Sequence, residues 1–216
     1  MVTPYSSYSG EFGLTHLIKV VDNIYLRCRQ SAGSHSPFDL WFLHGLGESG
    51  LSFREAFQFD DLGKYNIFIP DFPGFGASPY DKNRASLRDA VKPVGQLIDQ
   101  LSPNRNIVLT AHSMGNVFAL ELAKLLGARL KGLINVEGNL LKQGCSISQS
   151  AESHKTAASY YTLIARSLAI KSGQSDSELR YYSSFRFAHP DAFWKWAKEG
   201  YALTGENLSA RAYTEL

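Results

Sequence analysis

Apolar positions along this chain follow two rhythms. Up to about Asn139, short apolar runs alternate with stretches in which apolar residues recur every three or four positions. THLIKVV and IYLRCRQ flank Asp22-Asn23 and predict a β-hairpin. FDLWFL, which ends at His44-Gly45, and YNIFIP are continuous apolar runs of strand length, the pattern of buried strands. LSFREAF between them predicts one or two helical turns. In SLRDAVKPVGQLIDQL the apolar residues Leu87, Val91, Val94, Leu97, Ile98 and Leu101 have helical spacing, and Pro93 predicts a kink. NIVLTA then reads as a strand, MGNVFALELAKLLG as a helix closed by Gly127, and LKGLINV as a further strand. Alternation of strand and helix predicts the α/β class, with a mostly parallel sheet covered by helices on both faces.

After Asn139 no strand-like run follows. Ala157, Tyr161, Ile164 and Leu168 share one helical face, Ser175 and Glu178 form a capping box, and Pro190 stands at an expected first helical position with Gly200 near the end. The chain therefore divides into a sheet-forming part, 1–139, and a helical insertion or cap, 140–216.

Composition narrows the function. With 216 residues, 44% hydrophobic and 19% charged, the chain has room for one sizeable domain or a domain with an appendage. A net charge of +2 gives no reason to expect nucleic acid or an anionic membrane as partner. The N-terminus lacks the basic start and apolar core of a signal peptide, and no apolar run approaches the ~20 residues that span a bilayer. Cys28 and Cys145 are far apart and lack metal-ligand spacing, so free thiols in a reducing, cytoplasmic setting are expected. Neither a metal nor a cofactor is expected, and the partner is a small-molecule substrate.

The chemistry concentrates at LTAHSMGN, residues 109–116. Ser113 falls between a predicted strand and a predicted helix, in the pattern small-x-Ser-x-Gly. A sharp strand-to-helix turn lifts such a serine above the sheet. Chain passes so close two positions before and after it that only small residues fit, which accounts for Ala111 and Gly115. The plainer reading of a serine in this place is a helix cap. Two further motifs weigh against it: FLHGLGES at 42–49 and IPDFPGFGAS at 69–78.

Together the three resemble the α/β-hydrolase superfamily. FLHGLGES is similar to its His-Gly oxyanion loop, IPDFPGFGAS to its D-x-P-G-x-G-x-S loop, and AHSMGN to its nucleophile elbow, in the family's order. The resemblance implies an α/β-hydrolase fold with a helical cap. It makes Ser113 the nucleophile and the backbone N–H groups of Leu46 and Met114 the oxyanion hole. It places His44, Gly45 and His112 beside the substrate, with His44 as the brace of its loop and not the base. Asp71 is expected to brace the second loop.

The family's chain order is Ser, then Asp or Glu, then His. Glu137 ends the strand after the elbow helix, where a carboxylate faces the site crevice, and it is the candidate acid. No histidine stands where the order requires one: His16 and His35 precede the core, and His154 and His189 lie in the cap. The resemblance thus implies that the last strands and the base lie beyond Leu216, and that residues 1–216 alone are inactive. Serine at the elbow suits carboxylic esters. The ring-rich cap (Tyr160, Tyr161, Tyr181, Tyr182, Phe185, Phe187, Phe193, Trp194, Trp196) implies a small to medium apolar substrate. Carbon–carbon bond hydrolysis, acyl transfer and non-catalytic ligand binding use the same fold.

Overall fold

Asp22 and Asn23 both take left-handed φ, 49° and 64°. That is the two-residue turn whose twist matches paired strands. In the computed structural model, which describes residues 3–10, 13–30, 36–138, 142 and 145–204, this turn joins β2 (Gly13–Val21) to β3 (Ile24–Arg29). β1 (Thr3–Gly10), absent from the sequence reading, pairs antiparallel with β2. β4 (Phe38–Leu43), β5 (Asn66–Pro70), β6 (Asn106–His112) and β7 (Leu130–Val136) are mutually parallel, and the sheet order is β1-β2-β3-β5-β4-β6-β7. The antiparallel part is one strand larger than the hairpin predicts, and the parallel part carries the motifs.

Alternate residues of the central strands feed two cores. Trp41, Leu43 and Phe68 face a large cluster with α1 (Leu87–Leu101) and α2 (Gly115–Leu126). Phe42, Ile67 and Ile69 face a smaller one under the 3₁₀ turns at Gly50–Gln58. Pro93 stands inside a continuous α1. It cannot donate to the Asp89 carbonyl one turn back, so the helix runs on through packing of Val94, Leu97 and Ile98.

Beyond β7 the described elements are all helical: α3 (Ser146–Ser150), α4 (Ala157–Lys171), α5 (Asp176–Phe185) and α6 (Pro190–Leu203). Ser175 accepts from the Glu178 N–H at the start of α5, the first half of the expected box. Pro190 occupies the first turn of α6, whose N-cap His189 also donates its backbone N–H to the Gly74 carbonyl at 2.7 Å. α6 reaches deep into the molecule. Its Trp196 is fully buried, with ring centroids 4.9 Å from Phe72, 5.2 Å from Phe75 and 5.3 Å from Phe118. Gly200 does not end the helix but lets it approach the core: a Cβ there would run into the Met114 sulfur. No described helix is long and apolar enough to cross a membrane.

Candidate active site

β6 ends in a turn that few residues tolerate. Ser113 has φ of 50°, a left-handed value that costs a non-glycine residue energy and persists only where the surroundings enforce it. Here the Ser113 N–H donates to the Val136 carbonyl at 3.0 Å, and the Asn116 side chain donates to the Ala111 carbonyl at 2.8 Å, so both sides of the turn are tied down. A Cβ on Gly115 would sit 2.5 Å from the Leu43 carbonyl oxygen and 2.7 Å from that of His44. Both obstacles are backbone and cannot swing away. The crowding expected around the serine is thus present in the chain geometry.

The loop after β4 is fastened at several points. His44 is fully buried. Its Nε2 accepts from the Phe72 N–H at 3.0 Å, which fixes the tautomer and lets Nδ1 donate to the Gly45 carbonyl at 2.8 Å. Both ring nitrogens are therefore occupied, and burial pushes the pKa down. Gly45 lies against the elbow, since a Cβ on it would be 3.1 Å from that of Ser113. The Tyr181 hydroxyl, on α5, donates to the Leu46 carbonyl at 2.9 Å. Neither the Leu46 N–H nor the Met114 N–H has a partner among the described residues. Buried N–H groups are rarely left so.

Asp71, also fully buried, accepts from the Arg27 guanidinium and the Gly50 N–H at 2.7 Å each, and from the Ala77 N–H at 2.8 Å. All of its bonds point into its own loop and that loop's neighbours.

Glu137 has φ of 48° and a side chain 87% exposed, with a carboxylate oxygen 3.8 Å from Nε2 of His112. The other imidazole nitrogen, Nδ1, is 2.9 Å from Glu48. That bond is the largest cause of the raised pKa of His112. Glu48 was not singled out by sequence; the sign available was an acidic residue in a glycine-rich loop. Of the other histidines, His16 stacks on Phe57, half-buried His154 contacts Ser159, and His189 caps α6 and stacks on Tyr80. His35 lies outside the described residues.

Ser113, Gly45, Leu46, Glu48, His112 and Glu137 border one cavity of about 390 Å³, whose wall also includes Ile147, Tyr181 and several serines of the helical region. His112 is the only described histidine in its wall. Of the nine rings named for the expected cap, only Tyr181 lines it; Tyr160, Phe185, Phe193 and Trp196 are core, and Phe187 is 70% exposed.

Residues 42–215 match the family model described as the alpha/beta hydrolase family. The chain belongs to the alpha/beta hydrolase family. The chain is 28% identical over 130 residues to an uncharacterized hydrolase of Saccharomyces cerevisiae, covering 60% of the chain and 44% of the relative. It is 37% identical over 87 residues to the magnesium-chelatase 30 kDa subunit of Rhodobacter capsulatus, covering 39% of the chain and 29% of the relative. The chain thus spans less than half the length of these curated relatives. A thermophilic esterase from Thermogutta terrifontis superposes with a TM-score of 0.65 at 16% identity, over 94% of this chain and 73% of that one, and shares the fold.

Proposed function

We propose that this hydrolase cleaves carboxylic esters of small to medium apolar substrates through an acyl-enzyme on Ser113. The observation that carries the reading is the strained serine in one cavity wall with Leu46, while the N–H groups of Leu46 and Met114 are left without partners among the described residues. Attack by the Ser113 oxygen on an ester carbonyl moves charge to the carbonyl oxygen. Donors fixed in advance at that point stabilise the charge, each by about 3 kcal/mol. The alkoxide leaves with a proton, and water then attacks the acyl-enzyme to release the acid and free serine. Ser113 needs a base to lose its own proton, and we assign that base outside the described residues, because both nitrogens of His44 are taken and His112 is held at Nδ1 by Glu48, which favours its protonated form. Glu137 is the candidate acid. Leu46, Ile147 and Tyr181 offer the apolar part of the cavity wall. The two widely separated cysteines, Cys28 and Cys145, support a reducing, cytoplasmic setting.

The test uses the full-length protein and p-nitrophenyl esters. A fluorophosphonate should attach to Ser113, and Ser113→Ala should abolish both attachment and turnover; turnover retained in that variant overturns the assignment. Glu137→Gln should lower kcat by ~10³ to 10⁴ if it supports the base, and a loss under about tenfold removes it from that role. Product analysis with added alcohol separates hydrolysis from acyl transfer.

A further inference from the structure

Glu48 sits at a place where a carboxylate is electrostatically awkward. It belongs to the loop expected to hold the developing oxyanion, and it borders the same cavity as Ser113. A fixed negative charge there opposes the negative charge of the transition state. Yet the same oxygen, Oε2, makes two short contacts. It accepts from the Gly45 N–H at 2.6 Å and meets Nδ1 of His112 at 2.9 Å. One atom therefore joins the loop after β4 to the residue just before Ser113.

We propose that Glu48 and His112 are a positioning pair: the carboxylate holds the oxyanion loop against the elbow, and the imidazolium cancels the charge that this hold introduces. The proposal rests on the hydrolase reading of Ser113. The geometry around Gly45 is what makes the hold consequential. A Cβ on Gly45 would lie 2.9 Å from Oε2, 3.1 Å from Nδ1 of His112 and 3.1 Å from the Cβ of Ser113. The Gly45 carbonyl is occupied by His44 and by the Glu48 N–H, and the Leu46 carbonyl by Tyr181. With Gly45 N–H on Glu48, each backbone polar group of Gly45 and Leu46 is fixed except the Leu46 N–H. Because a peptide unit is planar, pinning the Gly45 carbonyl also aims that N–H. Release of Glu48 frees the start of this chain of constraints.

The titratable groups around the cavity are Glu48, Glu137, Cys145, Glu178 and Tyr181. Only the first two reach the imidazole, and both are carboxylates that favour its proton. Deprotonation of His112 leaves Glu48 uncompensated, so turnover should fall on the alkaline side as that proton leaves.

The experiment is a double-mutant cycle in the full-length protein with Glu48→Gln, His112→Asn and both together. Asn keeps a donor for the carboxylate but no charge. Melting temperatures check folding, kcat and KM are measured from pH 5 to 9, and the His112 imidazole is titrated by NMR. His112→Asn should lower kcat ~10- to 100-fold with KM within about twofold, a fraction of the effect of deleting an oxyanion donor. Glu48→Gln should remove the alkaline limb and lower the NMR midpoint of His112. The double variant should recover most of the His112→Asn loss, a coupling that a purely structural role does not produce. A double variant as poor as His112→Asn, or a His112 midpoint unmoved by Glu48→Gln, overturns the proposal. If the parent turns over no ester, the hydrolase reading fails by itself, and the NMR midpoint alone decides whether the pair exists.

Discussion

Replacing Ser113 by alanine and by glycine separates chemistry from backbone strain. Both substitutions delete the hydroxyl, which has no partner among the described residues, so neither breaks a hydrogen bond there. They differ in what they do at φ of 50°. Alanine keeps a Cβ and therefore keeps the left-handed cost, ~1–2 kcal/mol. Glycine removes it but loses more chain entropy on folding, ~0.5–1 kcal/mol. The glycine variant should thus be the more stable by ~1 kcal/mol, which in a chain of this size is roughly 2–4 °C in melting temperature. The assay is paired thermal and urea unfolding of the two inactive variants, with no substrate required. If the alanine variant melts at the same temperature as the glycine variant or above it, the turn is not strained. Backbone strain at Ser113 then gives no support to its role as nucleophile.

Asp71→Asn should cost ~3–5 kcal/mol in urea denaturation, because it leaves the buried Arg27 guanidinium without its counter-charge; a loss below about 1 kcal/mol would mean the pair is not sealed from water. Two histidines should shape the pH dependence in opposite senses. Burial holds the pKa of His44 down, so its contribution is full above the ordinary 6.5 and is lost as pH falls through the lower folded value. Glu48 first, and Glu137 less, hold the pKa of His112 up, so its contribution is full below 6.5 and is lost as pH rises through the higher folded value. Melting temperature should therefore decline on both sides of neutrality, and His112→Asn should flatten only the alkaline decline; an unchanged alkaline side rules out the His112 component.

What the sequence made legible was local. The hairpin turn at Asp22-Asn23, the cap at Ser175, the start of α6 at Pro190 and the small residues around Ser113 each depend on neighbours a few positions away, and each left a mark in residue type. The order of the three motifs carried the fold. What stayed hidden depends on distant chain. Strand β1 exists through its pairing with β2. Glu48 meets His112 across 64 residues, and Tyr181 meets Leu46 across 135. Ring content did not reveal cavity wall, because several rings of the helical region pack on one another or into the core: Phe193 stacks on Tyr160 and meets Phe185 edge-on, and Trp196 lies against Phe72 and Phe118. Gly200 stands near the end of its helix, as expected, but the reason for a glycine there is Met114 beneath it.

That contact limits how the helical region can be exchanged between relatives. Where α6 crosses Met114 no side chain fits on the helix, and the Met114 backbone is one wall of the proposed oxyanion site. A graft that brings a different helix to this position brings its own side chain to the residue after the nucleophile. Transplanting the helices onto another hydrolase core should therefore succeed only when residue 114 travels with them, and libraries that diversify the helices while holding Gly200 fixed should keep far more folded members than those that vary it.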